Sequence, residues 1–173
     1  IINGKFEKKE KVVSTKKAPS RVQAANLDIL CVSAGGKELG QLANQLDGTF
    51  SIEMASDGIE AIRLFRGKRP KLILIDTYLP VELSPQSIIK SLNQYSNGSK
   101  SSFMVVTKHQ IDPDQELELF ETGVKEVLDL KRSVQLSAQR IEFWIDWQEQ
   151  MSNLARRNQE LYGQNLHQKS ELA

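Results

Sequence analysis

The sequence contains one cysteine, Cys31, so no disulfide can close within the chain and no cysteine cluster can hold zinc. Histidine is nearly as scarce. His109 and His167 stand far apart and read as surface residues rather than metal ligands or phosphoryl carriers. No apolar run approaches the roughly 18 residues of a membrane-spanning helix, and the first residues do not read as a signal peptide. No membrane insertion is therefore expected, and the lone thiol fits a reducing, cytoplasmic location. An excess of one charge is also missing: the formal net charge is +1, which argues against a nucleic-acid binder as a whole. A start at Ile1 without an initiator Met, and an end inside a helical pattern, are expected of a piece of a longer protein.

What charge there is lies unevenly. Residues 1–26 carry Lys5, Lys8, Lys9, Lys11, Lys16, Lys17 and Arg21 against Glu7 and Glu10, with Ala18-Pro19-Ser20 as punctuation. This stretch reads as a basic, mostly irregular lead-in. It is a solvated linker or, on the sharper alternative, an arm for anionic lipid or nucleic acid.

From Leu27 the pattern changes. Asp28 to Ser33 is a short apolar run ending at Gly35-Gly36, as for a buried strand that turns into a helix over Lys37 to Leu46. A second strand is expected at Phe50 to Met54. The helix after it has Ile59, Ala61, Ile62, Leu64 and Phe65 as apolar residues, with Asp57 as its amino-terminal cap. Leu72-Ile73-Leu74-Ile75 is apolar without alternation, which predicts a central parallel strand covered on both faces, and it ends on Asp76. A third helix over Ser84 to Tyr95, a loop at Ser96 to Ser99, a strand over Phe103 to Thr107, a helix over Asp114 to Thr122 and a fifth strand over Glu126 to Leu130 complete the pattern. From Val134 the chain reads as helical throughout.

Five strands, each followed by a helix, predict an α/β fold: an open five-stranded parallel sheet with helices on both faces, spanning residues 27–148. Chemistry in such sheets sits at the carboxyl ends of the strands, here Ser33, Ala34, Asp76, Thr107 and Lys131. Gly35-Gly36-Lys37 does not make a phosphate loop, because Cys31 and Glu38 stand where a Walker motif needs Gly and Ser or Thr. The spacing of Gly35, Gly36 and Gly40 does not fit a dinucleotide fingerprint either.

Three segments resemble the receiver domain of bacterial response regulators, which is flavodoxin-like. Ala55-Ser56-Asp57-Gly58-Ile59-Glu60-Ala61 is similar to its strand-to-helix junction, and Leu72 to Pro80 to its phosphoacceptor strand and loop. Glu118 to Leu128 is similar to its fourth helix and fifth strand. The resemblance implies Asp76 as phosphoacceptor, with Thr107 and Lys131 as the switch and phosphate-contacting residues. Phosphoryl transfer in the family uses Mg²⁺ held by two acids after the first strand. Ser33 and Ala34 stand there instead, and Asp28 lies at the other end of the strand. Counting from Gly123 puts Leu130 at the place of the phosphate-pairing lysine, with Lys131 one residue late and Arg132 where the family has Pro. A one-residue slip reverses side-chain direction, so Lys131 serves only if the loop absorbs the offset. Val127 replaces the aromatic switch, and Val81-Glu82-Leu83-Ser84 lacks the family's loop glycine.

The end of the chain, residues 144–173, carries a heptad repeat sustained from about 144 to 165. Trp144, Met151, Asn158 and Asn165 fall at a; Trp147, Leu154, Leu161 and Gln168 fall at d. This predicts an extended coiled-coil helix and a parallel homodimer, with Asn158 fixing the register. The alternative is that both tryptophans pack on the domain's own sheet and the rest is a solvated tail. The first expectation for function is a degenerate receiver of a two-component system, not an enzyme and without cofactor, acting through protein interaction and dimerisation. The second is a phosphoacceptor modified at Asp76 by a partner histidine kinase with Mg²⁺, the last helix leading to a downstream output domain. A flavodoxin-like enzyme or cofactor binder is the third, disfavoured by the missing glycine loops.

Overall fold

In the computed structural model, residues 27–80, 83–96 and 101–171 are described, with side chains as far as Gln164. The lead-in over 1–26, Val81 and Glu82, the loop residues 97–99, and the side chains of Asn165, His167 and Gln168 lie outside the described residues.

Strands β1 (Ile29–Val32), β2 (Ile52–Ala55), β3 (Leu72–Asp76), β4 (Ser102–Thr107) and β5 (Val124–Asp129) form one sheet in the order β2-β1-β3-β4-β5. All neighbouring pairs are parallel. Helices α1 (Lys37–Leu46), α2 (Gly58–Lys68), α3 (Pro85–Gln94), α4 (Pro113–Glu121) and α5 (Val134–Glu171) follow the strands in turn.

Side chains alternate across a strand, so each central strand feeds two cores. Ile29 and Cys31 of β1, with Leu72 and Leu74 of β3, pack under Leu39, Leu42 and Leu46 of α1 and Ile141 and Ile145 of α5. Leu30, Val32, Ile73 and Ile75 point the other way, against Ala61, Leu64 and Phe65 of α2, Ile88, Ile89 and Leu92 of α3, and Leu119 of α4. The unbroken apolar run of β3 thus has the cause expected of it. Burial in the first core pushes the Cys31 thiol up to about 12.

Four helices start on side-chain caps: Asp57 Oδ1 accepts from Glu60 N–H at 2.8 Å, Ser84 Oγ from Ser87 N–H at 3.2 Å, Asp112 Oδ1 from Asp114 N–H at 2.9 Å, and Ser133 Oγ from Leu136 N–H at 3.1 Å. α1 is the exception, beginning at Gly36 with no side-chain cap.

Two strands are displaced from the sequence expectation. β2 begins at Ile52, not Phe50, because pairing of Ile29 with Ile52 sets its register, while Phe50 makes an isolated bridge to Asp47. An edge strand buried on neither face completely gives no apolar pattern to fix its ends. β5 begins at Val124 rather than Glu126. Phe103 pairs with Val124 and Met104 with Glu126, so Lys125 is an extra residue that interrupts the alternation.

Candidate functional site

The carboxyl ends of β1, β3 and β4 bring Ser33, Asp76 and Thr107 to one rim of the sheet, with Leu130 just beyond β5. Asp76 is only 7% exposed, and both carboxylate oxygens are occupied. Ser33 Oγ–H donates to Oδ2 at 2.9 Å, and Tyr78 N–H donates to Oδ1 at 2.9 Å. Ser33 Oγ in turn accepts from Gly36 N–H at 2.9 Å. One carboxylate therefore ties the start of α1 to the turn after β3 through a single hydroxyl.

Gly36 is required by this tie. A Cβ built there would stand 2.1 Å from Asp76 Oδ2 and 3.0 Å from Ser33 Oγ. Its φ of −61° is ordinary, so the constraint is space and not backbone conformation.

Above the carboxylate, Lys108 Nζ lies 3.7 Å from Glu38 and 5.1 Å from the centre of the Tyr78 ring. These groups and Leu130 leave a cavity of about 10 Å³ beside Asp76. That is scarcely the space of one water molecule.

Thr107 is buried at this rim, but its hydroxyl serves the turn after β4: it donates to His109 O at 2.8 Å and accepts from His109 N–H at 3.1 Å. Leu130, 5% exposed, faces the site. Lys131 is exposed, and its backbone N–H donates to Asp129 Oδ1 at 2.9 Å. The loop leaves the one-residue offset in place.

The Mg²⁺ that the resemblance to receiver domains implies needs near-octahedral oxygen ligands at about 2.0–2.1 Å and keeps several waters. At this rim the donor set is one carboxylate already holding two hydrogen bonds and one serine hydroxyl, itself engaged by Gly36 N–H. Glu38, the next acid, is turned to Lys108. These residues do not fit the ion. Among the described residues no group of three His, Cys, Asp or Glu side chains is placed to hold a metal.

Asp28 sits at the opposite end of β1. Its carboxylate accepts from Ser51 N–H at 3.0 Å and lies 2.9 Å from Lys71 Nζ. Burial raises the Asp28 carboxyl, but the Ser51 and Lys71 bonds outweigh it and hold the group below the usual carboxylate value.

The heptad residues of α5 divide in two. Trp144 packs against the domain's own core, and its indole Nε1 is buried without a hydrogen-bond partner among the described residues. Trp147 leans on it with ring centres 5.2 Å apart and is half exposed, as are Met151, Leu154 and Leu161. Gln148 Nε2 reaches Ser102 Oγ at 3.2 Å, the last described tie between helix and sheet. The free apolar stripe thus begins at Trp147, and Asn158 lies exposed within it. No described helix is long and apolar enough to cross a membrane.

Sequence reasoning points to Ser33, Ala34, Asp76, Thr107 and Lys131 at this rim, with Leu130 at the lysine's place on counting from Gly123; the structure brings Ser33, Asp76, Thr107 and Leu130 together and leaves Ala34 and Lys131 exposed. That reasoning did not find Lys108, Glu38 and Tyr78 above the rim. An apolar strand ending in Thr107-Lys108 was the available signal, but the partner on α1 depends on the tertiary placement of that helix beside the turn after β4.

No family model matches the chain, and no curated protein matches it. Solved structures do. It is similar to the response regulator receiver domain protein (CheY-like) from Methanospirillum hungatei JF-1, at 16% identity and a TM-score of 0.60 over 73% of this chain and 98% of that one. The receiver domain of Francisella response regulator 1452 gives 18% identity and a TM-score of 0.60 over 71% and 99%. A fusion carrying the yeast Spc42 trimeric coiled coil gives 19% and 0.63 over 84% and 95%. The chain therefore has the receiver-type, flavodoxin-like fold, extended by a long last helix.

Proposed function

We propose that this receiver-fold domain is a signalling module of two-component type that works by protein interaction and dimerisation, not by phosphoryl transfer. The observation that carries the reading is the Ser33 hydroxyl bonded to Asp76 where the family places metal-binding acids. A carboxylate nucleophile needs its own charge and the phosphoryl oxygens neutralised. Ser33 supplies one neutral donor, Leu130 supplies none, and Lys108, the cation at this rim, is turned to Glu38. On this reading the chain is not an enzyme, takes no cofactor and works in a reducing, cytoplasmic setting.

Dimerisation uses the stripe from Trp147 through Met151, Leu154, Asn158 and Leu161, whose apolar members stay half exposed on the single helix. A parallel pair would bury them, and Asn158 would favour two strands in one register. A histidine kinase or an output domain is the further partner class that the fold suggests.

Incubation with Mg²⁺ and acetyl phosphate is expected to leave the intact mass unchanged. A Mg²⁺-dependent gain of one phosphoryl group, abolished by Asp76→Asn, would sink the reading. It would favour the second one, a phosphoacceptor served by a partner kinase, which the position of Asp76 at the end of β3 supports. Sedimentation at about 1 M salt, where contacts between surface charges are screened, is expected to give a dimer for the full chain and a monomer for Leu154→Glu/Leu161→Glu. A trimer would move the stoichiometry toward that of the Spc42 coiled coil.

A further inference from the structure

α2 and α3 leave between them a groove of about 470 Å³, walled by Ile59, Ile62, Leu83, Ile88 and Leu92, with the Ser87 and Ser91 hydroxyls along one side. That volume lies within the range of ligand sites. Both hydroxyls spend their protons on backbone oxygens of their own helix, Ser84 O and Ser87 O, so the wall offers a partner mainly apolar surface. Ile59 at its mouth is 83% exposed. Positions i, i+3, i+4 and i+7 share a helix face, which places Arg63 and Arg66 on the Ile59–Ile62 stripe and Lys90 beside Ser87 and Ser91. Arg63 pairs with Glu60 at 3.6 Å, and Arg66 lies over the Tyr95 ring at 5.3 Å. The rim is thus apolar inside and mostly basic along its flanks, with Asp57 at one end.

α4 has the complementary surface. Leu117 and Phe120, three apart on one face, are 58% and 43% exposed. Glu116 and Glu121 border them, and from Asp112 to Glu121 every charged residue is acidic. Phe120 and Leu117 are outside the groove of their own molecule, so a fit between the two surfaces must join separate molecules.

We infer that the α2–α3 groove is the docking site for α4 of a second copy of this chain, with Leu117 and Phe120 entering it and Glu116 and Glu121 meeting Arg63, Arg66 and Lys90. The two surfaces differ, so the contact is head-to-tail: it closes into a ring or runs on as an open chain. Added to pairing through α5, it would join dimers into arrays.

Sedimentation of full-length chain carrying Leu154→Glu/Leu161→Glu isolates this contact from α5 pairing. The mass is expected to rise with concentration at low salt and to fall back at about 1 M salt, where screening acts within about 3 Å. In that background, Glu116→Lys/Glu121→Lys and Arg63→Glu/Lys90→Glu are each expected to weaken association by roughly tenfold or more. Mixing the two charge-reversed chains should restore it, which also shows that both remain folded. A mass independent of salt and concentration, or a mixture no better associated than either variant alone, would overturn the inference.

Discussion

Asp28 and Asp76 stand at opposite ends of the same sheet, and their surroundings differ in kind. Asp28 is partly open to water and holds a lysine, two groups of Ser51 and a lowered carboxyl. Asp76 is buried and is held only by neutral donors, one hydroxyl and one amide. The first is an ordinary clasp between β1 and β3, of a kind that contributes little beyond local order. The second keeps a carboxylate where burial is costly, and each of its hydrogen bonds matters correspondingly more. The difference locates the constraint in this fold: the rim used for chemistry in related folds is here the tightly fitted end.

The sharpest way to break the comparison is Gly36→Ala. Its new methyl must displace the Asp76 carboxylate or the Ser33 hydroxyl, so a loss of about 3 kcal/mol in urea unfolding is expected. No loss would mean that the rim is loose. Ser33→Ala follows, with an expected cost of about 2 kcal/mol from leaving Asp76 Oδ2 and Gly36 N–H without their shared partner.

At the other end, Lys71→Met should cost less than about 1 kcal/mol, because the lysine is about half exposed. Asp28 also gives a pH signature. Its folded carboxyl lies below the unfolded value of 3.8, so its stabilisation is complete above 3.8 and is lost as pH falls through the lower folded value. Asp28→Asn should flatten that part of the acid unfolding curve, and an unchanged curve would remove the clasp from the account. The smallest effect expected is for Trp144→Phe. Removing a buried indole N–H that has no partner offsets part of the ring packing lost with it, so the thermal midpoint should fall by only a few degrees.

The parts of this fold that were legible in the sequence are those where one physical demand dominates. Leu72 to Ile75 could only be a strand covered on both faces, and Asp57 was set to cap α2; both are so placed. The one-residue offset of Lys131 was countable from Gly123, and Leu130 does take the inward place. Edges were harder to read. β2 is half exposed and took its register from β1, while the extra Lys125 in β5 leaves no trace in an alternation already broken by Glu126. Hidden altogether were relations between distant elements, such as Lys108 with Glu38 or the groove between α2 and α3. No local pattern encodes a distance across the fold.

α5 runs 38 residues without interruption, about 57 Å at 1.5 Å per residue. Its described hydrogen bonds to the sheet end at Gln148, so roughly 35 Å of helix lies beyond them as a lever whose fulcrum lies under Trp144. A tilt of about 5° at that seat would swing the far end by roughly 3 Å, more than half the rise of a helical turn. A small repacking between α1 and α5 would in this way become a displacement large enough to shift one helix against another.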